Sequence, residues 1–337
     1  MFWYISDFYG SMRHQIRKDI GDQMKYQEFV EQVVIDIRKY LPMKLQNAKI
    51  ETARVEKLQN AGYYGISVQP ETGRIGVSFD LQPFYQSYLE NMDFEDELLT
   101  IAQVIRNGLK NPPVFSIGEM NNYAVMKETL MIQLVPIEGN ELMLATIPHV
   151  KWKDLAIIYR FTSDCEQEGI ATMLITNTLL AQYGITKEQL HEDALTYAPI
   201  NFPFCIRDLN EILAGGSEEF AKQPSSTKSQ LLVASCYPAS NGAGCIFYPG
   251  FLQQAAERIG GSFFVLPSSV HEVILVPDDG SIDYQALLKS VAEVNMREVK
   301  QSDFLANNVY HYDAKLEVFE TIQEYADRQL MKKGLVI

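Results

Sequence analysis

Apolar side chains recur at three- and four-residue steps from Tyr26 through Phe29, Val30, Val33, Val34, Ile37 and Leu41, so residues 26–41 read as an amphipathic helix. Pro42 stops it, because proline lacks an amide donor and biases the residue before it out of the helical region. Three short alternating runs follow at 49–57, 63–69 and 74–79, with Asn60, Gly62 and Gly73 supplying turns; an antiparallel meander is the simplest pairing. Helical spacing returns over 81–91 and 94–110 and ends at Asn111-Pro112-Pro113.

Residues 129–136 and 155–161 are apolar at nearly every position, the pattern of strands buried on both faces, and 168–176 reads as a third. Residues 178–198 form two helical pieces joined at Tyr183-Gly184, the second opening at Thr186. Thr186 and Gln189 have capping-box spacing, and Ile185 and Leu190 have that of a hydrophobic staple. The Gly-, Ser- and Lys-rich stretch 215–229 reads as a linker or loop. Beyond it the pattern predicts strands at 230–237 and 244–248 joined by a turn that carries the hairpin signal Asn241-Gly242; a hairpin symmetric about Ser240 and Asn241 would set Cys236 opposite Cys245. A helix at 250–259, strands at 262–267 and 270–277, a helix at 283–295 and a closing helix at 314–333 complete the chain. The expectation is an α+β protein, with mixed or antiparallel sheets flanked by amphipathic helices in two lobes divided near 112 or near 220. The parts are an N-terminal arm (1–25), an N-terminal lobe (26–112), middle strands and helices (113–222) and a C-terminal lobe with its closing helix (223–337).

Composition narrows the function. A chain of 337 residues, 47% hydrophobic and 21% charged, buries a large core. Its 29 basic and 43 acidic residues leave a formal charge of −14, a field that repels phosphate polymers and anionic membranes. The four cysteines have neither CxxC nor Cys/His ligand spacing, which argues against structural zinc, and so few in so long a chain do not make a disulfide scaffold. In the first residues Asp7 interrupts the apolar run and the basic residues come after it, the reverse of a signal peptide. No stretch approaches the roughly 20 apolar residues of a membrane span. A cytoplasmic protein with free thiols is expected, with neither cofactor nor metal.

The densest reactive chemistry is Ser268, Ser269, His271, Glu272, Asp278 and Asp279. A serine nucleophile needs a base within hydrogen-bond reach, and the base needs an orienting carboxylate. The same residues also read as a turn at Pro267-Ser268-Ser269, a strand opened by His271 on the face of Val273 and Leu275, and an acidic entry to the next helix. No GxSxG elbow accompanies them, and the turn reading is favoured. The five histidines show no HExxH spacing, and His191-Glu192-Asp193 point apart on a helix. Neither Gly215-Gly216 nor Gly242-Ala243-Gly244 has phosphate-loop form. Tyr310, His311 and Tyr312 are candidates for a tyrosine-rich contact patch, since tyrosine offers contact area at low entropy cost.

Several strings together resemble a clostridial-type bacterial family of unknown function: LAIIYRF with ITNTLLAQYGITKEQLHEDAL, then LPSSVHEVILVPDD, then EVNMREVKQSDFLANNVYHYD. RVEKLQNAGYYGISV and FDLQPFYQSYL are similar to its N-terminal part, so the resemblance spans residues 26–313. It implies an accessory role in a bacterial cytoplasm, near genes of mobile elements, and assigns no catalytic residue. The LPSS-HE signature stands here as Leu266, Pro267, Ser268, Ser269, His271 and Glu272. The reading that results is a non-enzymatic protein-binding or regulatory protein; the alternative is a hydrolase using Ser268 or Ser269, His271 and a nearby carboxylate. One local expectation is sharp: Thr186→Ala should cost about 1 kcal/mol in urea unfolding, the worth of one helix cap.

Overall fold

The computed structural model describes residues 24–55, 58, 62–71, 76–110, 120–165, 169–213, 231–237, 241–267, 269–332 and 334. The arm read at 1–25, apart from its last two residues, and the linker read at 215–229 lie outside them. The chain forms two units, one of Met1–Val55 with Gly62–Pro112, the other of Glu56–Ala61 with Pro113–Ile337.

In the first unit, α1 (Tyr26–Asp36) buries Phe29, Val30 and Val33, the stripe its spacing predicts, and tightens into a 3-10 turn before Pro42. Strands β1 (Lys49–Val55), β2 (Tyr63–Gln69) and β3 (Val77–Asp80) form the expected antiparallel meander, in the order β1-β2-β3. Helices α2 (Gln82–Asn91) and α3 (Phe94–Lys110) follow. α3 begins with Glu95, Asp96 and Glu97, charges that suit the positive end of the helix dipole, and buries Leu98, Ile101, Ala102 and Ile105. These side chains and Ile66 and Val68 of β2 make one core with α1. The Tyr26 hydroxyl donates to the Tyr64 carbonyl and to Asp80 Oδ1, tying α1 to the meander.

The second unit opens with the short helix α4 (Tyr123–Met126), then β4 (Leu130–Pro136), which is buried at every position, and a single turn, α5 (Glu141–Leu144). β5 (His149–Trp152), β6 (Leu155–Cys165) and β7 (Gly169–Leu174) complete a four-stranded antiparallel sheet in which β6 pairs with all three others. α6 (Asn177–Tyr183) ends at Gly184 in the left-handed conformation, and α7 (Lys187–Asn201) is capped by Thr186, whose Oγ1 accepts from the Gln189 amide at 3.2 Å. α7 then lays Leu190, Ala194 and Ala198, four residues apart, into the core under β4.

A six-stranded antiparallel sheet follows, ordered from edge to edge as Val318–Thr321, Tyr310–Asp313, Phe263–Leu266, Glu272–Pro277, Leu232–Cys236 and Phe204–Asp208. Its strands are β8 (Phe204–Asp208), β9 (Leu232–Cys236), β10 (Phe263–Leu266), β11 (Glu272–Pro277), β12 (Tyr310–Asp313) and β13 (Val318–Thr321). The helices α8 (Leu209–Leu213), α9 (Phe251–Ile259), α10 (Tyr284–Glu298) and α11 (Ile322–Lys332) intervene or follow. One core spans this sheet and the four-stranded one, from Ile132 and Tyr159 to Phe263 and Leu275. On its other face Phe264 and Val276 pack with Val291 of α10 and Ile322 of α11.

Two expectations are corrected. There is no hairpin at Asn241-Gly242 and no strand at 244–248: residues Gly242–Phe247 form a 3-10 helix, and β9 pairs with β8 and β11 instead. Asn241 does take the left-handed turn conformation, φ 55°, but the turn feeds a helical segment. Glycine decides this, because a β-carbon on Gly242 would lie 2.3 Å from Ser235 Oγ and 2.6 Å from the His271 carbonyl, a contact that only bare backbone makes. Cys236 and Cys245 still meet, thiol to thiol, and neither they nor Cys205 is in a disulfide. The closing helix starts at Ile322, not 314: Val318–Thr321 alternate as strand β13, and Leu316 is exposed. Thr321 begins the helix through a reciprocal capping box, its Oγ1 accepting from the Glu324 amide while Glu324 Oε2 accepts from the Thr321 amide. The close approach at Gly242 predicts that Gly242→Ala destabilises by about 3 kcal/mol in urea unfolding, the upper part of the overpacking range. Gly261→Ala, with nothing within 4 Å of its β-carbon, should stay within about 0.5 kcal/mol of the parent.

Candidate functional site

The two ends of β11 collect most of the chemistry that the sequence brings into one stretch. At its start the chain turns from β10 into β11, and Ser268 lies outside the described residues. Ser269 is buried; its Oγ accepts from the backbone amide of His271 at 3.0 Å and stands 3.5 Å from Glu272 Oε1. The serine hydroxyl thus closes the turn by accepting from the main chain two residues on, a bond that competes with any use of that oxygen elsewhere.

His271 precedes the strand rather than opening it, and its side chain is half-exposed, at 39%. Nδ1 accepts from the Asn241 amide at 3.2 Å, and Nε2 lies 3.7 Å from Asp303 Oδ1. A backbone N–H can only donate, so the lone pair of Nδ1 is committed and the neutral ring carries its proton on Nε2, toward Asp303. The His271 carbonyl accepts from Ser235 Oγ at 2.7 Å, and the Val270 amide donates to the Asp303 carbonyl at 2.9 Å. Ser269, His271 and Glu272 are therefore brought together, while Asn241, Ser235 and Asp303, which the sequence reading missed, complete their surroundings. Asn241 carried a signal that was read as a hairpin; Asp303 sits in an aperiodic connection and carried none. Asp278 and Asp279 follow the far end of β11, about 20 Å away at the rise of a strand, so neither orients His271.

At that far end a second cluster forms around His311 of β12, which is 1% exposed. Nε2 lies 3.0 Å from Asp278 Oδ2 and Nδ1 lies 3.3 Å from Glu320 Oε1 on β13. Arg328 of α11 grips Glu320 through Nε and Nη2 and reaches Asp313 with Nη1 at 2.7 Å. Tyr325 lays its ring 4.2 Å from the imidazole, centroid to centroid, and donates its hydroxyl to Asp278 at 3.4 Å. The hydrogen bond from His311 holds the Asp278 carboxyl below the usual carboxylate range against the opposing effect of burial, helped by the Gly280 amide. Burial, with Asp278 beside it, pushes the Tyr325 phenol up to about 12. The Glu320 bonds raise the Arg328 guanidinium further still.

Tyr310, His311 and Tyr312 are thus no exposed contact patch, because all three are buried in β12. The Tyr310 hydroxyl donates to Asp154 Oδ1 at 3.0 Å, and its ring packs edge-on against Trp152, which stacks on Phe319 at 4.6 Å. His191 shares a hydrogen bond with the Tyr159 hydroxyl at 2.8 Å, and burial lowers its proton affinity. Burial pushes the Cys245 thiol well up. Among the described residues no three His, Cys, Asp or Glu side chains are placed to hold a metal ion, and no helix is long and apolar enough to cross a membrane. Every buried side-chain nitrogen or oxygen among them has a hydrogen-bond partner.

Compared with known proteins, residues 26–314 match a family of unknown function, DUF5688. No curated protein and no solved structure matches. The match covers both ends of β11 and all of β12.

The buried cluster generates a prediction about stability. His311→Ala removes the partner of two carboxylates at once and should cost about 3–5 kcal/mol in urea unfolding at neutral pH. Asp278 is depressed in the fold, so its contribution is complete above the carboxylate value of the unfolded chain, about 4, and is lost as pH falls through the lower folded value. Without His311 the folded value moves back toward the unfolded one, so this acid-sensitive contribution of Asp278 should shrink.

Proposed function

We propose that this chain, which belongs to that family of unknown function, is a non-enzymatic protein-binding or regulatory accessory protein of the bacterial cytoplasm. One observation carries the reading: at the site where serine, histidine and carboxylate come nearest, both reactive groups already serve the main chain. Ser269 Oγ accepts from the His271 amide, and His271 Nδ1 accepts from the Asn241 amide. A general base needs a free lone pair aimed at the hydroxyl it activates. Here the one unprotonated nitrogen aims at a backbone amide of another segment. The formal charge of −14 adds a direction, favouring a partner face rich in lysine and arginine, with association that weakens as salt rises.

The alternative, a hydrolase, draws support from a different feature, the Asp303 carboxylate beside Nε2 of a half-exposed histidine. The two are separated by treating the purified chain with a fluorophosphonate, which labels activated serines, alongside its Ser269→Ala and His271→Ala variants. The expected result is no more labelling in the parent than in either variant. Stoichiometric labelling of Ser268 or Ser269 that disappears in His271→Ala would establish the hydrolase. For the binding role, a partner recovered by cross-linking in cells should rebind the purified chain, with affinity falling several-fold between low and physiological salt.

A further inference from the structure

The His271 ring does more than fill a turn: it is the acceptor that fixes the first amide of a buried segment. Asn241 holds the left-handed conformation, φ 55°, and its amide reaches Nδ1 at 3.2 Å. Directly after it, Gly242 through Ile246 are buried. The Gly242 carbonyl accepts from the Cys236 thiol at 3.6 Å, and the Ala243 amide donates to the Val270 carbonyl at 3.1 Å. One water-facing imidazole thus borders a segment embedded in the core.

We propose that His271 is a proton-operated latch on residues 241–248. In the neutral ring Nδ1 accepts the Asn241 amide. Uptake of one proton from solvent at Nδ1 makes both ring nitrogens donors, so two N–H groups then face each other and the amide is released. Asp303, on the connection between α10 and β12, offers the imidazolium an ion-pair partner at Nε2. The other titratable groups around this site are Glu272, next in the chain, with its carboxylate near Ser269, and the Cys236 and Cys245 thiols of β9 and the 3-10 segment. Half exposure of the ring admits the proton without unfolding. The latch goes beyond the binding role and does not depend on it.

The test is heteronuclear NMR of the isotopically labelled full chain between about pH 5 and 8, the range in which histidines titrate. The amides of Asn241 and of Gly242 to Cys245 should shift with the same midpoint as the His271 ring. In His271→Asn, whose Oδ1 can take the acceptor position of Nδ1, the same amides should be pH-invariant. An Asn241 amide that stays still while the ring titrates overturns the proposal, as does unchanged movement in His271→Asn. Should that variant fail to fold, the parent chain decides alone: an Asn241 amide whose midpoint departs from that of the His271 ring overturns the latch.

Discussion

The backbone of Gly242 lies where no side chain fits. It runs so close to Ser235, Cys236 and the His271 carbonyl that a β-carbon would overlap all three, and two residues on Gly244 lies against the Ile132 carbonyl, 3.0 Å from where its own β-carbon would be. A single 3-10 segment thereby touches β9, the turn into β11, and β4 of the other sheet. Its hydrogen bonds follow from that approach: Ala243 to the Val270 carbonyl, the Cys236 thiol to the Gly242 carbonyl, and Tyr248 closing the segment on Cys245. The continuous core of the second unit, from Ile132 to Leu275, is built around these few residues. The cost is conformational, since glycine loses more backbone freedom on folding than any other residue. Burial of the neighbouring Ala243, Cys245 and Ile246 offsets it.

β11 carries its polar groups at both ends, and the two ends meet different dielectrics. At the start, His271 and Asp303 are partly in water, where an ion pair contributes little. At the far end Asp278, His311, Glu320 and Arg328 are withdrawn from solvent, and desolvation of each charge opposes its attraction to the next. Such a network adds little net stability over well-packed hydrophobic side chains. It does constrain geometry: Arg328 must meet Glu320 and Asp313 together, and Tyr325 must stack on the imidazole while its hydroxyl reaches Asp278. Only one placement of α11 on β12 and β13 satisfies all of these, so the cluster fixes where the last helix docks.

How much of the fold could be read from the chain depended on the range of the forces involved. Periodic burial is local, so α1, the meander, α3, β4 and β6 were legible from spacing alone, as was the Thr186 cap, which needs only residues three apart. β13 was not, because Leu316 and Phe319 mimic a helical stripe and only pairing with β12 decides for a strand. The segment after Asn241 failed for a related reason. Its turn residue was read correctly, but the 3-10 conformation of the next residues is set by contacts with β11 and β4, far away in sequence. At the candidate site the serine, histidine and glutamate were legible as neighbours. Asn241 and Asp303 were not, since nothing local marks a residue whose role is to face a ring thirty positions away.

That Ser269 and His271 of the Ser-Ser-x-His-Glu string bond to the main chain at a strand end is a consequence of backbone accounting. Where β10 turns into β11, ladder pairing stops and main-chain amides and carbonyls lose their partners. In a buried turn each must be satisfied by something other than water. Serine, asparagine, aspartate and histidine side chains are short enough and polar enough to do this. Here Ser269 takes the His271 amide, His271 takes the Asn241 amide, Ser235 takes the His271 carbonyl, and the Asp303 carbonyl takes the Val270 amide. Four orphaned main-chain groups account for the positions of all these residues. Residue types shared with hydrolases gather at such places because hydrogen bonding to the main chain and activation of a nucleophile call on the same lone pairs, and a lone pair already holding an amide cannot also take a proton from a serine.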